Sequence, residues 1–333
     1  MKYNVAVVGA TGMVGRKMLQ VLSERKLPIG ELYLFASAKS AGKQVDFMGK
    51  NYTVIELTEE SVRSRKIDIA LFSAGAGTSG TFAPIFAECG AIVIDNSSRW
   101  RTDPDIPLVV PEVNPEDIAW NHGIIANPNC STIQAVVALA PLHKAFGIKR
   151  IVYSTYQAVS GAGLGGYTDL EEGIKGNPPK KFPKPIFSNC LPHIDVFLDN
   201  GYTKEEQKMM FETRKILHDE SLKITATTVR VPVYYGHSES VNVEFRKPVT
   251  LEEVKKVLCE AEGVIVMDDP ENGVYPTALE CADHDEVYVG RIRLDDSVDS
   301  GVNLWIVADN IRKGAATNAV QIAQRVIAMK EGK

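Results

Sequence analysis

The sequence predicts an α/β protein: an N-terminal Rossmann-like, doubly wound parallel sheet, then an α+β domain on a mostly antiparallel sheet. Three features lead there. Residues 1–130 alternate short, wholly apolar runs with stretches of helical period, as parallel strands buried on both faces require. A glycine-rich turn separates the first apolar run from the first helical stretch, where a nucleotide-binding sheet places one. Beyond residue 130 the candidate strands lengthen and alternate polar with apolar residues. A chain of 333 residues is long enough for two such units. We expect the first to comprise residues 1–130 plus 310–333 and the second residues 131–309.

In chain order, the apolar runs at 4–8, 32–36, 67–72, 91–95, 108–110 and 124–126 predict strands. Between them Val14, Met18, Val21 and Leu22 form one helical stripe, and Phe82, Ile85 and Phe86 another. Residues 131–146 read as a single helix. Longer strands are expected at 150–157, 224–233, 240–245 and 287–294. A strand at 303–308 and a helix at 315–329 close the chain, the helix returning to the first domain. Residues 176–192 hold five prolines and several lysines. They read as an extended surface loop, the alternative being a binding arm or subunit contact.

Composition narrows the function. The balance of 37 basic and 42 acidic residues gives −5, against a nucleic-acid or anionic-membrane partner. No run approaches 18 apolar residues, so no membrane helix is expected. The N-terminus enters a strand at once, leaving no room for a signal peptide. The five cysteines are odd in number, widely spaced and contain no C-x-x-C, and the six histidines show no ligand spacing. Neither a disulfide framework nor a metal site is expected, and a soluble, reducing, cytoplasmic setting fits.

Four segments carry chemistry. Gly9-Ala10-Thr11-Gly12-Met13-Val14-Gly15 follows a strand and opens a helix. Its spacing is not the dinucleotide G-x-G-x-x-G, but small residues let the backbone approach a pyrophosphate and the helix N-terminus offers amides and a positive dipole end. The alternative is a structural tight turn. The end of the second strand has no acid until Asp46, where an NAD enzyme places one against the ribose 2′-hydroxyl. Lys39 and its neighbouring hydroxyls suit a 2′-phosphate and predict NADP, unless the loop is merely solvated. Asp95-Asn96-Ser97-Ser98-Arg99-Trp100-Arg101 lies at the C-terminal end of a parallel strand, where two arginines clamp an anion or pair on the surface.

The fourth segment is Asn127-Pro128-Asn129-Cys130-Ser131-Thr132, between an apolar strand and the long helix. A thiol at a helix N-terminus is more acidic, and amides of the same turn are candidates to hold an oxyanion. Cys89, Cys190, Cys259 and Cys281 lack this setting and are read as structural. A reacting thiol needs a proton-transfer partner. His237, at a strand end beside Gly236, suits that role better than the other five histidines.

Together these pieces resemble aspartate-β-semialdehyde dehydrogenases over essentially the whole chain. The resemblance rests on GATGMVG at 9–15, SAKSAGK at 37–43, DNSSRWR at 95–101, PLVVPEVN at 107–114, NPNCSTIQ at 127–134, STYQAVSGAG at 154–163, EQKMMFETRKIL at 206–217, VRVPVYYGHSES at 229–240 and ADNIRKGAATNA at 308–319. It implies Cys130 as nucleophile, His237 as acid/base and Gln157 as the residue orienting substrate near the thiol. It further implies Arg230 on the substrate α-carboxylate, Glu206 on its amine, and Arg101 and Lys208 on phosphate. For NADP the implied contacts are Thr11, Gly12, Met13, Val14, Lys39, Ser40, Ser160, Gly161 and Asn310. The implied reaction is NADPH-dependent conversion of 4-phospho-L-aspartate to L-aspartate 4-semialdehyde through a cysteine thioester, in the pathway to lysine, methionine and threonine. A homodimer formed through the second domain, or in some members a tetramer, is also implied. The nearest rivals are N-acetylglutamyl-phosphate and glyceraldehyde-phosphate reductases, whose thiol loops resemble NPGCY and SCTTN. A non-catalytic NADP-binding protein is a rival of another class, opposed by the joint presence of Cys130 and His237.

Overall fold

The computed structural model describes residues 1–332. They form two compact units, Met1–Pro128 with the stretch from Ala315 onward, and Asn129–Gly314. The first unit runs β1 (Tyr3–Val8), α1 (Met13–Glu24), β2 (Ile29–Ala36), β3 (Gln44–Phe47), β4 (Lys50–Thr53), β5 (Ile55–Glu56), α2 (Glu59–Arg63), β6 (Ile69–Phe72), α3 (Ala76–Glu88), β7 (Ile92–Asp95) and β8 (Ile124–Ala126). β3 and β4 pair as a separate ribbon. The main sheet has the order β5-β2-β1-β6-β7-β8, and every pair in it is parallel.

The apolar runs become these strands because both faces are covered. Val5 and Val7 face one core with Met18, Leu22 and Leu71. Ala6 and Val8 face the other with Phe35, Phe72 and Phe86. β1 is central, and the order turns from β2 on one side to β6 on the other. Its C-terminal end is therefore the switch point where such sheets bind ligands.

The second unit runs α4 (Cys130–Phe146), β9 (Ile148–Gln157), α5 (Leu164–Ile174), α6 (Lys204–Leu217), β10 (Lys223–Arg230), β11 (His237–Phe245), α7 (Leu251–Cys259), β12 (Val264–Val266), β13 (Val287–Leu294) and β14 (Gly301–Ala308). Its sheet has the order β10-β9-β11-β14-β13-β12. The two outer pairs are parallel and the three inner pairs antiparallel. Register puts Arg230 beside Gln157 and His237 beside Ala308. The last residues of β9, β10 and β14 and the first of β11 thus meet at one end of the sheet. After β14 a π-helical turn, Arg312–Thr317, leads into α8 (Asn318–Lys330). Ala319, Val320, Ile322 and Ala323 of that helix join the core around Val5 and Val7 in the first unit.

Several expectations shift. The run at 108–110 forms only a single bridge, Leu108 to Ala126. Asn114 takes over its backbone groups, Oδ1 accepting from Val110 N–H and Nδ2 donating to the Leu108 carbonyl, both at 2.9 Å. The strand expected at 224–233 stops at Arg230, before Pro232, which has no N–H for a ladder. The closing helix begins at Asn318 because the residues before it are wound as the π-helical turn. The unit boundaries fall at 128/129 and 314/315 rather than 130/131 and 309/310. Cys130 opens α4, and Asn310 is tied to Gly236 and Ser160, which fixes both in the second unit. Cys89, Cys190 and Cys259 are exposed, and of the four cysteines read as structural only Cys281 is buried, its thiol pushed up to about 12 by burial.

Candidate active site

In the first unit the glycine turn forms a cradle of bare backbone. Gly9 has φ +82°, and a Cβ there would lie 2.6 Å from the Ser73 carbonyl oxygen. A Cβ on Gly15 would lie 2.2 Å from the Gly9 oxygen, so α1 packs on the turn only because that atom is missing. Gly12 is the N-cap of α1 and brings no side chain to the helix end, which begins with Met13 and Val14. The amides there are those a phosphate needs. Thr11 Oγ1 donates to Ser40 Oγ at 3.5 Å, bringing the glycine turn to the end of β2. Lys39 is exposed in the same short 3₁₀ turn, Ala38–Ser40.

The arginine segment after β7 is also shaped locally. Asp95 accepts from Ser97 N–H at 3.2 Å and Ser97 Oγ–H at 2.6 Å. Burial pushes its carboxyl up, against those bonds and the nearby Arg101 charge. Arg101 is largely buried and donates from Nη2 to the Asn96 carbonyl at 2.9 Å. Arg99 lies over the Trp100 ring, 4.9 Å from its centroid.

In the second unit Cys130 is the first residue of α4, and its Sγ is 3.2 Å from His237 Nε2. The other ring nitrogen, Nδ1, accepts the Ala158 N–H at 3.0 Å. A backbone amide only donates, so Nδ1 carries a lone pair and the neutral ring holds its proton on Nε2, facing sulfur. Burial, and then the Arg230 charge, push the His237 pKa well below 6.5. The ring is therefore neutral at rest. The amides expected to hold an oxyanion are occupied: Ser131 and Thr132 N–H both donate to Asn129 Oδ1, the side-chain cap of α4. Gly314 lies against the nucleophile, where a Cβ would come 2.8 Å from Cys130 Cβ.

Around this pair stand the other expected side chains. Arg230, 6% exposed, donates from Nη1 to the Ala158 carbonyl at 2.7 Å. Burial lowers its pKa, and the nearby Glu205 and Cys130 oppose that. Gln157 Nε2 donates to Ser131 Oγ and, at 3.2 Å, to Glu205 Oε1, while its Oε1 is buried without a partner. Glu205 also accepts from Asn129 Nδ2 at 2.8 Å. Burial would raise its carboxyl, but Lys208, Asn129, Gln157 and Arg230 together hold it below the usual carboxylate range. Lys208 Nζ lies between Asp195 (2.7 Å) and Glu205 (3.2 Å).

Glu206 departs from its expected role. One of its oxygens accepts from Thr203 N–H at 2.7 Å and the other from Thr228 N–H at 3.0 Å. It closes the capping box of α6 with Thr203, so its neighbour Glu205 is the carboxylate that joins the cluster. The pattern Thr-x-x-Glu before a helix was the available signal, since it assigns the second glutamate to the cap. Sequence reasoning gave no role to the side chains of Asn129 and Ser131, or to Ala158 and Glu239. Glu239 is wholly buried two residues beyond His237, and burial pushes its carboxyl well above 4.5, opposed by Ser131. Among the remaining expected contacts, Ser160 and Asn310 bond each other, Nδ2 to Oγ at 3.1 Å, and Asn310 Oδ1 accepts from Gly236 N–H. A Cβ on Gly161 would lie 2.8 Å from Arg230 Nη1 and 3.2 Å from His237 Cε1.

Both units resemble known proteins. Residues 4–121 match the family model "Semialdehyde dehydrogenase, NAD binding domain", and residues 139–313 match "Semialdehyde dehydrogenase, dimerisation domain". An aspartate-semialdehyde dehydrogenase of Aquifex aeolicus is 58% identical over 341 residues, covering 100% of this chain and 99% of the relative. The crystal structure of aspartate semialdehyde dehydrogenase II of Vibrio cholerae, complexed with ASA, superposes with TM-score 0.94 at 51% identity, covering 98% of each chain. The enzyme of Candida albicans, solved with NADP, superposes with TM-score 0.78 at 27% identity, covering 98% of this chain and 99% of that one.

Proposed function

The chain belongs to the aspartate-semialdehyde dehydrogenase family, and from that premise we infer that it converts 4-phospho-L-aspartate to L-aspartate 4-semialdehyde in amino-acid biosynthesis. The observation that carries the reading is the 3.2 Å contact between Cys130 Sγ and His237 Nε2 at the N-terminus of α4. A thiolate there is favoured by the helix dipole, the Arg230 charge and the Nε2–H.

The sulfur attacks the acyl carbon, forming a C–S bond as the C–O bond to phosphate breaks, and phosphate leaves from a Cys130 thioester. When bound, NADPH would supply the hydride that reduces the thioester carbon. The neutral His237 hydrogen-bonds the sulfur and the substrate oxygen through its Nε2–H and keeps that single proton, stabilising the thiohemiacetal oxyanion that hydride addition leaves. Collapse to the aldehyde returns the thiolate.

The chain's other residues bind and orient. Arg230 takes the α-carboxylate and Gln157 turns the acyl group toward sulfur with its unpartnered Oε1. Glu205, rather than Glu206, takes the amine, since its charge is already kept ionised. Lys208, held by two carboxylates, serves to fix Glu205, which leaves phosphate to Arg101. The glycine cradle fits a dinucleotide pyrophosphate, held by Thr11, Gly12, Met13 and Val14. Lys39 and Ser40 favour NADP over NAD, and Ser160, Gly161 and Asn310 suit its other end. The second unit supplies the dimer contact, and a reducing cytoplasm keeps Cys130 as the thiol.

The test is oxidation of L-aspartate 4-semialdehyde by purified protein, assayed as NADPH formation. It should require both phosphate and NADP. Turnover without phosphate, or none with it, would refute the reading.

A further inference from the structure

We propose that the segment between α5 and α6 is a fixed clamp on Arg230, in which Asp169 anchors the loop and Phe182 positions the guanidinium for the substrate carboxylate. The proposal rests on the reading of Arg230 given above. The segment, residues 175–203, has no helix or strand of its own, and loops of this length in compact domains generally carry function.

It is nonetheless pinned. Asp169, buried in the middle of α5, accepts three successive amides: Lys180 N–H at 2.9 Å, Lys181 N–H at 2.8 Å and Phe182 N–H at 2.8 Å. Burial alone would raise this carboxyl, but the three amides hold it below its ordinary value, so it is a carboxylate and the bonds are charge-assisted. The face of α5 that carries Asp169 is built to admit the loop. A Cβ on Gly166 would lie 2.9 Å from the Phe182 ring, and one on Gly173 3.0 Å from Phe187 Cβ. Gly166, Asp169 and Gly173 are spaced to share one side of the helix.

Both parts of Arg230 are then gripped. Arg230 N–H donates to the Leu191 carbonyl at 2.8 Å, and Leu191 N–H donates to the Arg230 carbonyl at 2.9 Å, an antiparallel bridge that ends β10. The Phe182 ring faces the guanidinium, 5.9 Å from ring centroid to Cζ. Phe182 packs against the buried cluster of Val159, Leu170, Ile186 and Leu191, so the ring is not free to swing away. A cation over an aromatic face, with water kept from that face, leaves the planar edge of the fork for a carboxylate. The prolines give the loop its stiffness and Asp169 its attachment. Asp169 and Phe182 are thus positioning residues acting through Arg230.

The experiment compares Phe182→Ala, Phe182→Trp, Asp169→Asn and Arg230→Lys in the full-length enzyme, with separate Michaelis constants for L-aspartate 4-semialdehyde, phosphate and NADP. Phe182→Ala should raise the semialdehyde constant about 3- to 30-fold and leave the other two nearly unchanged. Phe182→Trp, which keeps an aromatic face, should restore it. Asp169→Asn should act in the same direction and let trypsin cut faster after Lys180 and Lys181, and added semialdehyde alone should slow that cutting. If Asp169→Asn does not fold, the alanine and tryptophan pair at Phe182 decides. A folded Phe182→Ala with an unchanged semialdehyde constant, or with all three constants shifted alike, overturns the clamp. Arg230→Lys separates the two ideas. If it raises the semialdehyde constant while Phe182→Ala does not, the clamp alone fails; if neither does, the carboxylate role of Arg230 fails with it.

Discussion

The two halves of the chemistry are built from opposite materials. The cradle after β1 is made of missing side chains: Gly9, Gly12 and Gly15 clear the space that a phosphate and the turn itself need. The thiol site is made of side chains in excess, with Gln157, Glu205, Arg230 and His237 buried around a half-buried Cys130. A cradle of backbone tolerates no added atom. A cluster of buried charges tolerates no lost partner, because removing one leaves another unpaired.

The largest test of that contrast sets Cys130→Ala against Gly15→Ala. Cys130→Ala should cut turnover by at least ~10³-fold while NADP still binds, read by kcat and by cofactor titration. Gly15→Ala forces its Cβ onto the Gly9 oxygen, 2.2 Å away, and should lower stability by about 1–3 kcal/mol and weaken NADP, with thiol reactivity retained in the folded fraction. If Gly15→Ala bound NADP normally, the cradle would not be set by that contact.

Next comes the neighbouring pair on α6. Glu205→Gln should raise the semialdehyde Michaelis constant by roughly tenfold or more, since a neutral amide no longer holds an amine, and should also lower the melting temperature, because Lys208 and Arg230 lose a buried counter-charge. Glu206→Gln should cost about 0.5–2 kcal/mol of stability through the capping box and leave the semialdehyde constant nearly unchanged. The opposite pattern would return the amine to Glu206.

A smaller effect belongs to Lys39. Its alanine variant should weaken NADP about 10- to 150-fold and leave NAD nearly unchanged, because one charge-assisted contact is lost. Equal efficiency with both cofactors in the unmodified enzyme would remove that role.

The subtlest test is pH. Glu239 binds its proton more tightly folded than unfolded, so its contribution is full below pH 4.5 and is lost as pH rises through its elevated folded pKa. Glu239→Gln does not ionise, and its melting temperature should gain on the wild type as pH rises above 4.5. His237 runs the other way. Its folded pKa lies well below 6.5, so stability should fall as pH drops beneath 6.5, and His237→Asn should flatten that fall. A pH-independent difference in either variant would mean that the group is not held as described.

The same contrast explains what was legible in the sequence. The strands β1, β2, β6 and β7 could be read because a strand covered on both faces is apolar at every position. The glycine turn is contiguous, so its chemistry lies in a single string of letters. The thiol site comes from three strand ends, a helix start and the first turn of α6, and sequence shows such pieces only one at a time. Cys130 and His237 stood out by their settings. Glu205 did not, because choosing between adjacent glutamates depends on which one the Thr203 cap captures. Nor could sequence reveal that Asn129 occupies the amides expected for an oxyanion, or that Asn114 dissolves the strand at 108–110, since both depend on where one side chain turns.

The interrupted first unit has a consequence for synthesis. Its sheet is complete once residue 126 is made, yet the core around Val5, Val7, Ile69 and Leu71 lacks Val320, Ile322, Ala323 and Val326 until the last helix emerges. At ordinary elongation rates, that face stays only partly covered on the ribosome for roughly 10–40 s, while the whole second unit is translated. The intervening unit therefore becomes able to fold before the one that precedes it. During that interval α1 covers only part of this face, and the nascent chain carries an apolar strip of the kind on which chaperones act and aggregation begins. Carboxy-terminal truncation thus removes a wall of the first unit, even though none of the residues proposed above to bind substrate or cofactor lies on the lost helix.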